Sequence, residues 1–110
     1  MNKYTELSDF EINKAVFHKA KIKHKYFRFL PNGVITYNIK GKYKVFDPCN
    51  NPTDAMPIII ENKIGLSPMY HSNKWTADCL DYDFISVNKN PLRAAMELFL
   101  LMKDAENEKV

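Results

Sequence analysis

The sequence predicts an α+β protein folded as a single domain over residues 1–110, and three observations lead there. Apolar residues recur at helical spacing near both ends of the chain. Between them, Lys23 to Phe46 is rich in β-branched and aromatic residues interrupted by turn formers. The composition (45% hydrophobic, 13% aromatic, 26% charged) is that of a globular chain with enough apolar material for one core.

The first helix is expected over residues 8–20. Ser8 and Glu11 have the spacing of a capping box, and Leu7 and Ile12 occupy the two positions of a hydrophobic staple. Asp9 and Glu11 suit the positive end of the helix dipole, and Ile12, Ala15, Val16 and Ala20 form its apolar face. Phe10 and Phe17 make a second stripe, available to the sheet or to a partner. Three strands follow, Lys23–Leu30, Val34–Ile39 and Lys42–Phe46, separated by Pro31-Asn32-Gly33 and Lys40-Gly41, which reads as an antiparallel meander. A loop over residues 47–52 leads to a middle helix. Asp54 is its expected N-cap, Pro57 falls in its first turn, and it ends near Asn62 with Gly65 just beyond. Short strands are expected over 66–70, 74–79 and 84–87. The last helix is capped by Asn90 and opened by Pro91. Its faces are Leu92, Ala95, Met96, Phe99 and Lys103 on one side, and Ala94, Leu98, Leu101 and Ala105 on the other. Only Arg93, Glu97 and Asp104 interrupt them, so this helix is either central to the fold or partly an oligomer contact, and a homo-oligomer is expected through Leu98 or Leu101. Residues 106–110 should fray.

Several function classes fall away on composition. The longest apolar run, Leu98 to Met102, is far short of the ~20 residues that span a bilayer, so no membrane partner is expected. The start MNKYTELSDF lacks the apolar run of a secretory signal, which favours a reducing cytoplasm and free thiols at Cys49 and Cys79. The three glycines are too scattered for a phosphate-cradling loop. Cysteines and histidines lack paired metal-ligand spacing, so neither metal nor cofactor is expected. No catalytic residue can be assigned: Cys49 or Cys79 beside His71, or a Glu61–Asp83 acid/base pair, would need proximity that spacing does not supply.

The charge is unevenly placed. Residues 1–46 carry ten basic and three acidic side chains, and residues 47–110 carry six and ten. From Ile12 to Phe46 there is no acid, against nine basic residues, among them Lys14, Lys21, Lys23, Lys25 and Arg28. Aromatic residues interleave with them on the strands. That pattern fits a face for single-stranded nucleic acid, and fits better a sheet with aromatics toward the core and lysines toward water. A second candidate site is a set of amides with two larger side chains: Asn50, Asn51, Asn62, Trp75, Asn90 and Arg93. If the starts of the second and third helices converge near Trp75, they would offer free N–H groups, a stacking surface and a guanidinium to an anionic, nucleotide-like ligand. The competing assignment makes Asn51 and Asn90 caps and Arg93 a surface ion-pair partner of Glu97.

Three stretches carry a family resemblance: LSDFEINKAV (7–16), DPCNNPTDAMPIIIENKIGLSP (47–68) and NPLRAAMELFLLMKDAE (90–106). In that order they resemble the NinX-like proteins of lambdoid phages and prophages, while residues 21–46 show no such likeness. Met56 stands where the family has tryptophan in an Asp-Ala-Trp-Pro segment. The resemblance implies a phage accessory protein made in the bacterial cytoplasm, encoded beside replication and recombination functions, and brings no activity with it. The expected function is therefore a non-catalytic binding protein acting on a host or phage macromolecule. The alternatives are a small-molecule binder that sequesters a nucleotide-like signal, and a nucleic-acid-binding protein using residues 14–44.

Overall fold

In the computed structural model, which describes residues 3–20 and 27–108, three helices and two three-stranded antiparallel sheets follow in the order expected of an α+β chain. Helix α1 runs Asp9–Lys19. Strands β1 (Phe27–Phe29), β2 (Ile35–Ile39) and β3 (Lys42–Phe46) form sheet A in the order β1-β2-β3. After α2 (Pro52–Glu61), the strands β4 (Gly65–Pro68), β5 (Trp75–Asp78) and β6 (Ser86–Asn88) form sheet B, and α3 (Pro91–Glu108) closes the fold.

The start of α1 is held as its sequence requires. Ser8 Oγ accepts from the Glu11 amide at 3.1 Å and Glu11 Oε1 accepts from the Ser8 amide at 3.2 Å. Ile12 and Val16 are fully buried. Phe17 joins the sheet, its ring 4.1 Å from Phe27 and 6.1 Å from Phe46, whereas Phe10 stays half exposed beside the β1–β2 turn.

Sheet A is a pair of hairpins. Lys40 and Gly41 both take positive φ (53° and 82°), the geometry of a two-residue type I′ loop, and Asn38 Oδ1 accepts from the Gly41 amide at 2.9 Å. Directly paired residues of antiparallel strands share a face. The rows Phe27–Tyr37–Lys44 and Phe29–Ile35–Phe46 therefore lie on the core side, and Arg28–Thr36–Val45 with Asn38–Tyr43 on the other. Phe27, Ile35, Tyr37 and Phe46 do join the core, and Tyr43 faces solvent. Strict division into inward aromatics and outward lysines fails at β3, because Lys42 and Lys44 share the aromatic face and are exposed at the sheet edge.

Helix α2 corrects the expected N-cap. Asn51 caps it, its Oδ1 accepting from the Thr53 amide at 3.0 Å, and Pro52 takes the first position. Asp54 lies within the first turn and is buried, and Pro57 sits inside the helix rather than at its start. Asn51-Pro52 wins because it offers the same capping chemistry one turn earlier. The C-terminus also differs from expectation. Lys63, at φ 54°, takes the left-handed position; its amide bonds the Ile60 carbonyl and the Ile64 amide bonds the Ile59 carbonyl, a Schellman closure, while Gly65 already belongs to β4.

Helix α3 is the centre of the molecule. It packs on α1, on α2 and on all three strands of sheet B, and every residue from Arg93 to Leu100 is buried. Leu98 is wholly covered within the single chain, so it offers no surface to another subunit. The helix extends through Glu108, past the expected fraying point, and a Lys103–Glu106 ion pair of 3.2 Å lies in this stretch. No helix among the described residues is long and apolar enough to cross a membrane.

Candidate functional site

Four of the six residues singled out for a ligand site meet, at the starts of the helices. Asn90 Oδ1 accepts from the amides of Leu92 (2.9 Å) and Arg93 (3.4 Å), capping α3. Its Nδ2 donates to the Cys49 carbonyl at 2.6 Å and to Asn50 Oδ1 at 3.0 Å. Asn50 Nδ2 donates onward to Asp9 at 3.1 Å and to Asp47 at 3.2 Å. Asn51 caps α2 next door. The starts of all three helices are thus tied together by amide side chains. Asn62 lies at the far end of α2, where its Nδ2 donates to the Ile58 carbonyl at 2.8 Å. Trp75 stands on β5, paired in register with Asn88, whose Oδ1 accepts from the Asn90 amide at 2.9 Å.

Arg93 is a buried hub, with 8% of its side chain exposed. Nε donates to Glu97 Oε2 at 2.7 Å, Nη1 to Asp9 Oδ1 at 2.6 Å, and Nη2 to the Tyr4 and Leu7 carbonyls at 3.0 and 2.7 Å. Four of the five N–H groups of a guanidinium are therefore spent inside the chain. Burial works against its charge, but the bonds to Glu97 and Asp9 outweigh it and hold its pKa above the ordinary value. Spacing identified the Glu97 partner; it carried no sign that Glu97 is wholly buried or that Asp9 reaches the same guanidinium.

Sequence reasoning missed Asn13 and Asp47. Asn13 is buried, donates to Asp47 Oδ1 at 2.8 Å and accepts from the Cys49 amide at 3.2 Å, so it pins the loop before α2 onto α1. Its place on the α1 face beside Ile12 was the available signal. Cys49 lies beneath this network. Burial first, and then the Asp9 carboxylate, push its thiol well above the ordinary range, which is the opposite of what a nucleophile requires. Both cysteines carry free thiols. Among the described residues no three His, Cys, Asp or Glu side chains are grouped as a metal would require.

The basic residues occupy a different surface. Lys14, Arg28, Lys40, Lys42 and Lys44 are all exposed, and none makes an ion pair with a described acid. Lys21, Lys23, Lys25 and Tyr26 lie outside the described residues. On the outer face of sheet A, Arg28 shares a row with Thr36 and Val45, and Tyr43, 66% exposed, is paired with Asn38 in the next.

The family model of bacteriophage P22 NinX matches residues 3–103. This chain belongs to the NinX family. The match runs through residues 21–46, so the meander falls within the family's span although its sequence alone resembled nothing in it. Met56, the NinX-family position expected to hold tryptophan, is 40% exposed on α2. No curated protein matches the chain.

Proposed function

We propose that this NinX-family chain is a non-catalytic phage accessory protein that binds nucleic acid through sheet A and the exposed side of α1, in the cytoplasm of the infected bacterium. The observation that carries the reading is the segregation of charge. The described acids in ion pairs (Asp9, Glu97, Asp104 and Glu106) face Arg93, Lys3 or Lys103, while five cations on α1 and sheet A have no such partner. A surface of uncompensated lysine and arginine draws a polyanion, and phosphate contacts of this kind tolerate any sequence. The exposed Tyr43 ring adds a face on which an unpaired base can stack.

The test is fluorescence anisotropy of a labelled single-stranded oligonucleotide over a series of salt concentrations. The wild-type affinity should fall steeply with salt. The triple variant R28Q/K42Q/K44Q, which takes one cation from the outer face and two from the exposed β3 edge, should bind more weakly, with a log–log salt slope smaller by up to about 2, since each phosphate neutralised on a single strand contributes roughly 0.7. Equal affinity and slope in the triple variant would remove sheet A as the binding surface. K21Q/K23Q/K25Q tests the remainder of the same basic run.

A further inference from the structure

A cavity lies on the core-facing side of sheet A, apart from the joint between the helix starts. It measures about 790 Å³ and is bounded by the end of α1, sheet A, α2 and the C-terminal part of α3. That is within the usual size of a small-molecule pocket, roughly 300–1,000 Å³. We propose that it is a binding site for a planar heteroaromatic that donates N–H hydrogen bonds, of nucleobase or nucleoside size, with Asp54 as the principal acceptor.

Three features fix the ligand class. The first is shape: the aromatic residues Tyr37 and Phe46 of sheet A line one side of the cavity, and aromatic walls favour a flat partner. The second is the acceptor. Asp54 lines the cavity with its carboxylate already oriented, Oδ2 accepting from the Asp47 amide at 2.9 Å and Oδ1 from the Tyr37 hydroxyl at 3.3 Å. A carboxylate has about four lone-pair sites, so two remain for a ligand. Thr53 adds to them, because Pro57, four residues on, has no N–H to give to its carbonyl, and both residues line the cavity. The third is charge. Lys103, one of the lining cations, is held by Glu106 at 3.2 Å and lies over the Phe99 ring, while Asp54, Glu61 and Glu106 all line the same space. An anion gains little there. A neutral ring with adjacent N–H donors gains most, and a guanine edge, with a ring N–H beside an exocyclic amine, meets a carboxylate with two of them. A uracil edge flanks its one N–H with carbonyl oxygens that the carboxylate repels.

The site does not depend on the nucleic-acid reading: none of the cations tested there lines it, and Lys44, which acts on the Asp54 charge from sheet A, is left unchanged in the experiment. The experiment is a titration of the intact chain with guanosine, adenosine, cytidine and uridine, followed by amide NMR shifts. Guanosine should give saturable shifts centred on Tyr37, Asp54 and Phe99, with adenosine and cytidine weaker and uridine at least tenfold weaker than guanosine. D54N should weaken guanosine at least tenfold. Because Asp54 also holds the loop before α2, the second variant is T53W, which fills the cavity mouth from an exposed position and should abolish the shifts while leaving the spectrum folded. The proposal is overturned by the absence of saturable shifts with any of the four nucleosides, by shifts that map elsewhere, by uridine binding as well as guanosine, or by binding that survives T53W.

Discussion

At the scale of single residues, burial decides what the charged groups do. Arg93→Ala would leave the wholly buried Glu97 carboxylate without its cation. Breaking a buried pair from one side costs about 3–5 kcal/mol, far more than the ~0.5 kcal/mol of a surface pair. Urea unfolding should show that loss, and R93M/E97L should recover part of it, since it removes both buried charges together while leaving Asp9 and the Tyr4 and Leu7 carbonyls without their donor. A loss under ~1 kcal/mol in the single variant would mean that Glu97 finds water or another donor. Asp54 gives a pH signature. Burial raises its pKa above the ordinary carboxylate value, against the Asp47 amide and the Tyr37 hydroxyl, which act the other way. The folded state therefore holds that proton more readily than the unfolded chain. Its contribution is fully present below the ordinary value of about 3.9 and is lost as pH rises through the raised folded value. Asp104 has the opposite sign, since its bonds from Tyr4 and Lys3 outweigh burial and lower its pKa. The stability difference between wild type and D54N isolates the first effect and should move in favour of D54N as pH rises from about 4 toward neutrality. A flat difference would show that Asp54 titrates alike in both states.

At the scale of elements, the termini of α1 and α3 were readable in the sequence because their caps are local chemistry: Ser8 with Glu11, and Asn90 with Pro91. Helix α2 was displaced because two capping residues compete there, and the choice of Asn51 over Asp54 depends on a tertiary partner, Tyr37, that spacing cannot reveal. Pro57 within α2 has a measurable cost. A proline in a helix interior removes one hydrogen bond and crowds the carbonyl four residues back, at a cost of about 3 kcal/mol or more where the helix cannot adjust. Pro57→Ala should therefore stabilise the chain by about 1–3 kcal/mol, read from the urea midpoint at unchanged m-value. An unchanged or lower midpoint would show that the surrounding loop depends on the proline ring.

At the scale of the whole molecule, the concentration of basic charge was visible in the sequence because nine cations with no acid among residues 12–46 must dominate some surface. The cavity was not visible. Its walls come from residues 18–20, 37, 46, 53–62 and 99–107, which no local pattern joins. The polar cluster stood between these extremes: the amides could be named, but their roles could not. Asn90 is tied to Asn50 and Asn50 to Asp9, each across about forty residues of chain, and this makes the amides a joint between three helix starts.

That joint also dictates an order of assembly during synthesis. Sheet A and sheet B are made from neighbouring hairpins, which can close as soon as they leave the ribosome. Helix α1 cannot settle so early. Its Asp9 and the carbonyls of Tyr4 and Leu7 wait for Arg93, more than eighty residues later, and α1 gains its α3 packing only then, although Phe17 and Asn13 can already meet sheet A and the loop before α2. A nascent chain halted before Pro91 should hold its first helix open to protease and to chaperones, and release should be followed by closure of both ends of the chain in one step.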